Sequence, residues 1–526
     1  MTPNSDRGVR ATYLATALWL VAATAFGAST DSDAPVDAAS SVIGNSVVRV
    51  FATVRAPDLA KPWSKQAPTD VTGSGVVISA HRILTNAHLV LYASQLQIQA
   101  NQSGDKIAAT VVAVAPGMDL AVLKLDDESF FDTHAPLARA SALPQVKDAV
   151  LVYGYPTGGT SLSITKGIVS RVDYAPYSFP VMGLRVQVDA AINPGNSGGA
   201  AIVGDQMIGL AFSRAGGNTQ NIGYIIPNGE INLFLQDIAD GRYDGKPAMY
   251  DDLQALESPS LRSFLKLDKS VSGIVVHRPY SSAASYPLKE WDVITRIGND
   301  AVDDQGMVKL NQDLRVSFLY RVQQTVQNGT VPLTIVRDGK SLRVQLPVSA
   351  VRPRLMNPLD GEYPSYFIYG PLVFTRASPQ VLTSMSGNGM ALLGLGFLGS
   401  PLITGLGAAP DAEHEELVLV SSPFFPSSVA KGYRSPAGMV VDTINGLHIR
   451  SLKHLVSMLR DLRDPFVVIA FDSRVGETLV FSRAELLAAT EGILADNDIR
   501  AQGSADMMAV WQAAPARAGD GKNSQK

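Results

Sequence analysis

The 526 residues include 44 Lys and Arg against 48 Asp and Glu, a formal net charge of −4 with no long basic or acidic block, which argues against nucleic acid as a partner. Cysteine is absent, so thiol nucleophiles, disulfides and every Cys-based metal site are excluded, and catalysis falls to hydroxyls, carboxylates or bound water. A 46% hydrophobic content spread over this length can fill several cores, and three domains are expected.

Residues 1–28 place Arg7 and Arg10 before an apolar run from Ala11 to Phe26 and close on the small residues Gly27 and Ala28, the pattern of a signal peptide. An uncleaved N-terminal anchor is the alternative, with a run a little short of the roughly 20 apolar residues of a spanning helix. Either way the folded part is exported. Residues 29–40 are small and polar, a linker.

From 41 to 240, short β-type runs such as SVVRVFATV, GSGVVIS, LAVLKL and QMIGLAF alternate with Gly-containing turns, which predicts a mainly β domain of antiparallel barrel or sandwich type. Residues 241–250 read as a linker. The texture then changes to mixed strand and helix over 248–351, with a helix expected near 308–327 and a hairpin turn at Asp338-Gly339. After a second linker at 352–358, residues 359–495 repeat that order, so the two modules read as tandem copies of one α+β fold. Residues 500–526 are expected to be a mobile tail after a short helical piece.

The segment VDAAINPGNSGGAAI carries the chemistry. Ser197 lies in a loop entered through Pro194 and Gly195, and small residues let that backbone aim N–H groups at one point. An acyl-transfer nucleophile needs this, because the amides of Gly195 and Ser197 must converge on the oxyanion, each contributing about 2.7–4 kcal/mol. Asn196 is expected as a spacer with its side chain turned away. A serine hydroxyl also needs a base, and among seven histidines His88 stands out at the end of the apolar strand in ILTNAHLV. Asp119, leading the apolar strand in MDLAVLKL, suits the carboxylate that orients an imidazole and stabilises its cation. The chain order His88, Asp119, Ser197 is that of chymotrypsin-like enzymes rather than of subtilisins or α/β-hydrolases.

The strings GSGVVIS (73–79), TNAH (85–88), DLAVLKL (119–125) and GNSGG (195–199) resemble the HtrA/DegP, or Do-like, serine protease family. VYGYPTGG, TKGIVSRV, NIGYIIP and SYFIYGPLVF are most similar to its plant-type subgroup, and the resemblance spans roughly residues 42–490. It implies a chymotrypsin-like double β-barrel followed by two PDZ-like domains. It also implies ATP-independent cleavage of unfolded or damaged proteins in the bacterial periplasm, no cofactor or metal, and a homo-oligomer built on trimers. A membrane is involved only if the N-terminal segment stays uncleaved. The alternative is a chaperone or scaffold whose protease domain is mainly an assembly platform, or is locked off until activated.

Counting back six residues from Ser197 reaches Ala191, followed by Ile192, so the specificity pocket carries no charge there, and Asp189 reads as structural. The strand Leu210-Ala211-Phe212-Ser213 is expected to pair with an extended substrate, with Ile222 near the pocket, giving cleavage after small or medium aliphatic residues. PDZ domains add a ligand strand beside an edge strand and hold its terminal carboxylate on loop N–H groups. In the first such domain the loop falls at Met249–Leu253, where Asp251 and Asp252 oppose a carboxylate. In the second, Tyr369, Gly370 and Leu372 form the expected peptide loop, with Pro371 lacking an N–H. A literal GLGF at 394–397 is set aside, because it lies in a Gly-rich insertion rather than before the expected strand.

Overall fold

The computed structural model describes residues 42–178, 181–214, 222–385, 389–473 and 475–514. The segment 1–28 and its linker lie outside them.

Two six-stranded closed barrels come first. The first comprises β1 (Val47–Val54), β2 (Thr69–Ile78), β3 (Arg82–Thr85), β4 (Ala93–Gln99), β5 (Ile107–Ala115) and β6 (Leu120–Leu125), with the one-turn helix α1 (Ala87–Val90) between β3 and β4. The second is built from β7 (Ala149–Gly154), β8 (Ser163–Ser178), β9 (Val181–Val188), β10 (Ala200–Val203), β11 (Gln206–Arg214) and β12 (Gly223–Pro227). Helix α2 (Asn228–Asp237) then packs Ile231 and Phe234 into the space between the barrels.

Strand alternation explains the pairing of the two barrels. In β6, Ala121, Leu123 and Leu125 fill the first barrel, while Leu120 and Val122 face the cluster shared with the second. Both faces are buried, so LAVLKL reads as a nearly continuous apolar run rather than as an alternating one. Val48 and Val50 of β1 point into the same barrel, and Val47 points out to the shared cluster.

The next module is a sheet of β13 (Asp252–Ala255), β14 (Ile274–Arg278), β15 (Val293–Ile297), β19 (Thr330–Arg337) and β20 (Lys340–Pro347), with β16 (Asp300–Ala301) added on β15. Helix α3 (Pro259–Phe264) follows β13. The helix expected over 308–327 is only α4 (Leu319–Thr325), because β17 (Met307–Lys309) and β18 (Arg315–Ser317) pair as a ribbon before it. Its apolar core runs without a break into that of the second barrel, and Tyr174 meets Tyr320 at 6.4 Å between ring centroids.

The last module departs from a simple repeat by dividing its strands between a three-stranded and a four-stranded sheet. One is β21 (Tyr366–Tyr369), β22 (Leu372–Arg376) and β23 (Val418–Val420), and the other is β24 (Val441–Ile444), β25 (Leu447–His448), β26 (Phe466–Phe471) and β27 (Leu479–Ser482). Helices α5 (Pro379–Met385), α6 (Gly389–Phe397) and α7 (Pro401–Thr404) fill the Gly-rich insertion. The 394–397 string therefore forms the end of a helix, with Phe397 86% exposed. Helix α8 (Leu452–Asp461) is strongly amphipathic and buries Leu452, Leu455, Val456 and Leu459. Helices α9 (Arg483–Asp496) and α10 (Ala505–Gln512) complete the module. Helix α10 is the short helical piece expected at the start of the 500–526 stretch, and it is built into the module: Gly503 bridges to Phe367, and Trp511 packs on Phe367 and Tyr369.

This module also docks on the first barrel. Trp63 sits against Tyr366 and Phe425, at 6.3 and 5.4 Å between ring centroids. The architecture is the expected mainly β one, a chymotrypsin-like double barrel followed by two PDZ-like α+β domains.

Candidate active site

His88 and Asp119 come from the first barrel, Ser197 from the second, and all three approach the seam between them. His88 is the second residue of α1, and its side chain is 47% exposed. Its Nδ1 lies 2.8 Å from Asp119 Oδ2 and 3.0 Å from Oδ1, and its backbone N–H donates to Oδ1 at 2.9 Å. Asp119 adopts the left-handed conformation at φ 56°, which Asp tolerates better than most residues. Its carbonyl accepts from the Nδ2 of buried Asn86 at 2.9 Å. Two contacts to one carboxylate fix both the position of the histidine backbone and the plane of its ring.

Ser197 is half-buried in the loop between β9 and β10. Gly195 has φ 97° and Gly198 has φ 83°. At Gly198 a Cβ would stand 2.0 Å from the Ser74 carbonyl oxygen, so only glycine permits this approach to β2. Among the described residues no protein group is hydrogen-bonded to the backbone N–H of Gly195 or of Ser197. The neighbouring Asn196, Gly198 and Gly199 amides are used within the fold. The Asn196 side chain is fully buried and does not line the cleft that Ser197 faces.

His88, Gly195, Ser197 and Ile192 line one open cleft of about 520 Å³, completed by Asp70–Thr72 and Thr157. No hydrogen bond joins Ser197 Oγ to His88 among the described residues, although both face this cleft. Such bonds are often long in a ligand-free site and tighten with substrate.

The other residues expected at the pocket separate. Ala191 is exposed and its carbonyl accepts from Thr165 Oγ1 at 3.0 Å, and neither it nor Ile222 lines the cleft. Asp189 Oδ1 accepts from the Ile168 N–H at 2.6 Å, which ties β8 to the start of the loop that carries Ser197. Leu210, Ala211 and Phe212 are buried, and the N–H and carbonyl of Ala211 are committed to Gly199 and Gly198. Among the described residues β10 pairs with β11 as far as Leu210, which leaves the end of β11 beyond Ala211, where the β11–β12 register shifts, to meet an extended chain.

At the first expected carboxylate loop, Asp251 accepts from the Tyr280 N–H at 2.9 Å and from the Tyr286 hydroxyl at 3.0 and 2.9 Å. Burial holds its carboxyl above the usual carboxylate range. At the second, Tyr369 and Leu372 are fully buried, and the Gly370 N–H donates to Thr490 of α9 at 2.8 Å. Helix α9 therefore consumes the amide a ligand carboxylate would need.

Ser74, Thr85 and Tyr155 support the site without having been singled out. Thr85 Oγ1 donates to the Ser74 carbonyl at 2.7 Å, and the Tyr155 N–H donates to Ser74 Oγ at 2.8 Å. Their signal lay in the GSG, TNAH and VYGYPTGG strings, which carry the family resemblance.

A double barrel that brings a carboxylate-bound histidine to a glycine-flanked serine defines a chymotrypsin-like serine endopeptidase. Known proteins agree. A trypsin-like peptidase domain profile matches residues 73–210, and a PDZ domain profile matches 357–506. Protease Do-like 2, chloroplastic, of Arabidopsis thaliana is 34% identical over 475 residues, covering 88% of this chain and 75% of that protein. Protease Do-like 4, mitochondrial, of the same plant is 34% identical over 418 residues, covering 79% and 76%. Among solved structures, an HtrA-type protease with decapeptide aligns at 25% identity over 61% of this chain and 99% of its own, with a TM-score of 0.48. The chain belongs to the Do-like family of serine proteases.

Proposed function

We propose that Ser197 is the nucleophile, His88 the general base and Asp119 the carboxylate that orients it. The observation that carries this is the contact of His88 Nδ1 with both Asp119 oxygens, which leaves Nε2 turned toward the cleft that Ser197 shares. Nε2 takes the proton of Ser197 Oγ as the oxygen adds to the scissile carbonyl carbon. The free N–H groups of Gly195 and Ser197 hold the resulting oxyanion. Collapse expels the amine, protonated by His88, and leaves an acyl-enzyme. Water, deprotonated by His88, then adds to the ester and releases the acid and the serine.

The substrates are extended segments of unfolded or damaged polypeptides, cut without ATP after small or medium aliphatic residues. An open, uncharged pocket wall at Ile192 supports this, together with the strand edge beyond Phe212. The role is protein quality control in a periplasm, by a homo-oligomer built on trimers. The export pattern of residues 1–28 and the family support the compartment and the assembly respectively.

The test is degradation of unfolded β-casein by residues 29–526, beside Ser197→Ala and His88→Ala at equal oligomeric state. Cleavage by the parent alone is expected, with product ends reporting the pocket preference. Undiminished cleavage by either variant removes the assignment, and shared suppression of client aggregation without cleavage favours the chaperone role.

A further inference from the structure

The histidine sits on an element too short to hold itself. Helix α1 has four residues, its Asn86 N-cap side chain makes no capping bond, and one hydrogen bond, Leu91 N–H to the Ala87 carbonyl at 2.9 Å, closes its end. The chain then reverses into β4 through Tyr92, a half-buried residue at φ 61°. That left-handed conformation is unfavourable for an aromatic residue and persists only where surroundings enforce it.

The surroundings that enforce it belong to the second PDZ domain. Tyr92 Oη donates to the Glu362 carbonyl at 3.2 Å, and its ring lies 5.4 Å from that of Tyr363. Tyr363 Oη donates to the Arg55 carbonyl at 2.8 Å, while the Arg55 N–H donates to the Tyr92 carbonyl at 3.0 Å. The Lys65 ammonium stands 4.3 Å over the Tyr363 ring. Gly361, at φ 93°, lets Leu91 approach so closely that a Cβ there would meet Leu91 Cδ2 at 2.9 Å. Leu91 and Tyr92 are the third and fourth residues after His88, and both are gripped by three consecutive residues some 270 positions further along the chain.

We infer that Tyr92 is a positioning residue for His88, and that the Gly361–Tyr363 strip of the second PDZ domain is the clamp that holds it, so that docking of this domain sets turnover at the serine. The inference rests on His88 being the general base. The clamp touches neither the substrate cleft nor Ser197, so it acts on the geometry of His88 against Asp119 rather than on substrate binding. Release of the second PDZ domain from the first barrel lets the Tyr92 turn relax and lowers the rate.

The experiment uses the full exported chain and a quenched-fluorescence peptide substrate. Tyr363→Ala is expected to lower kcat about tenfold with KM within about twofold, as a small misplacement of a catalytic group does. Tyr363→Phe keeps the ring on Tyr92 and is expected to restore kcat to within about threefold of the parent. A split of this kind, with rescue by the ring alone, is not produced by a general loss of packing. Should Tyr363→Ala fail to fold, Gly361→Ala tests the same clamp through Leu91 and carries the same expectation. Unchanged kcat in a folded Tyr363→Ala or Gly361→Ala, or a rise in KM at constant kcat, overturns the inference. Activity retained by His88→Ala would instead remove the base assignment itself, a separate failure.

Discussion

Ser74 Oγ donates a 2.7 Å hydrogen bond to the Gly195 carbonyl oxygen, reaching from the first barrel to the loop that carries Ser197. Ser74 Oγ in turn accepts from the Tyr155 N–H, and the Ser74 N–H donates to the Ser197 carbonyl at 2.9 Å. One buried serine therefore fixes the loop on both sides of Asn196 and sets where the Gly195 and Ser197 amides point.

Ser74→Ala removes the side-chain half of this clamp and leaves the Gly195 carbonyl and the Tyr155 amide without their partner. The expected result is a loss of about 1–3 kcal/mol of stability and a roughly tenfold lower kcat with little change in KM. Calorimetry and steady-state kinetics check the two parts. A kcat equal to the parent's would mean that the loop holds its shape without Ser74.

Asp119→Asn keeps the size of the side chain but replaces one of the two acceptor oxygens that face His88 with a donor. Because the His88 backbone N–H and ring Nδ1 both use this carboxylate, the amide cannot satisfy both, and the ring is held in the wrong tautomer. A fall in kcat of about 10⁴-fold is expected, with an unchanged melting curve. A fall of less than about tenfold would take the orienting role away from Asp119.

The sequence disclosed most where chemistry demands a residue type at a fixed spacing. His88 and Asp119 could be picked out because each sits at the end or mouth of an apolar run, and Ser197 because it lies in a loop of small residues, while the barrels show through the regular turns between apolar runs. Ser74 was less visible, since a serine between two glycines in a strand looks like any turn residue until its partner 121 positions away is known. The second peptide loop misled for a related reason. Tyr369, Gly370 and Leu372 have the composition of a carboxylate cradle, but α9, encoded more than a hundred residues later, folds back and takes the Gly370 amide. The helix expected over 308–327 fails locally instead, because the residues before Leu319 satisfy their backbone as the β17–β18 ribbon.

Lys246 and Glu230 form a buried pair that ties the linker after α2 to β9. Glu230 is fully buried, its Oε2 lies 2.5 Å from Lys246 Nζ, and its Oε1 accepts from the Leu184 N–H at 2.7 Å. Lys246 also donates to the Met182 carbonyl at 2.7 Å. Lys246→Met strands the carboxylate and is expected to cost about 3–5 kcal/mol. Adding Glu230→Gln removes the orphaned charge and recovers part of that loss. Denaturant unfolding of the single and double variants checks this, and equal stabilities for the two would show that the charge is solvated after all.

Glu416 gives the stability a pH dependence with a definite sign. Burial raises its carboxyl above the ordinary value, outweighing the Leu452 N–H that it accepts at 2.8 Å and the distant Arg376. A carboxyl whose pKa is higher in the folded than in the unfolded state binds more protons when folded. Its ionisation therefore costs stability as pH rises from the ordinary glutamate range through the folded value. Glu416→Gln keeps an oxygen for the Leu452 amide and never ionises. It is expected to melt higher than the parent at pH 7.5, with the advantage shrinking as the pH is lowered to 4. Paired thermal melts across that range decide the matter. An advantage that stays constant or grows on acidification would mean that the Arg376 attraction, rather than desolvation, governs this carboxyl.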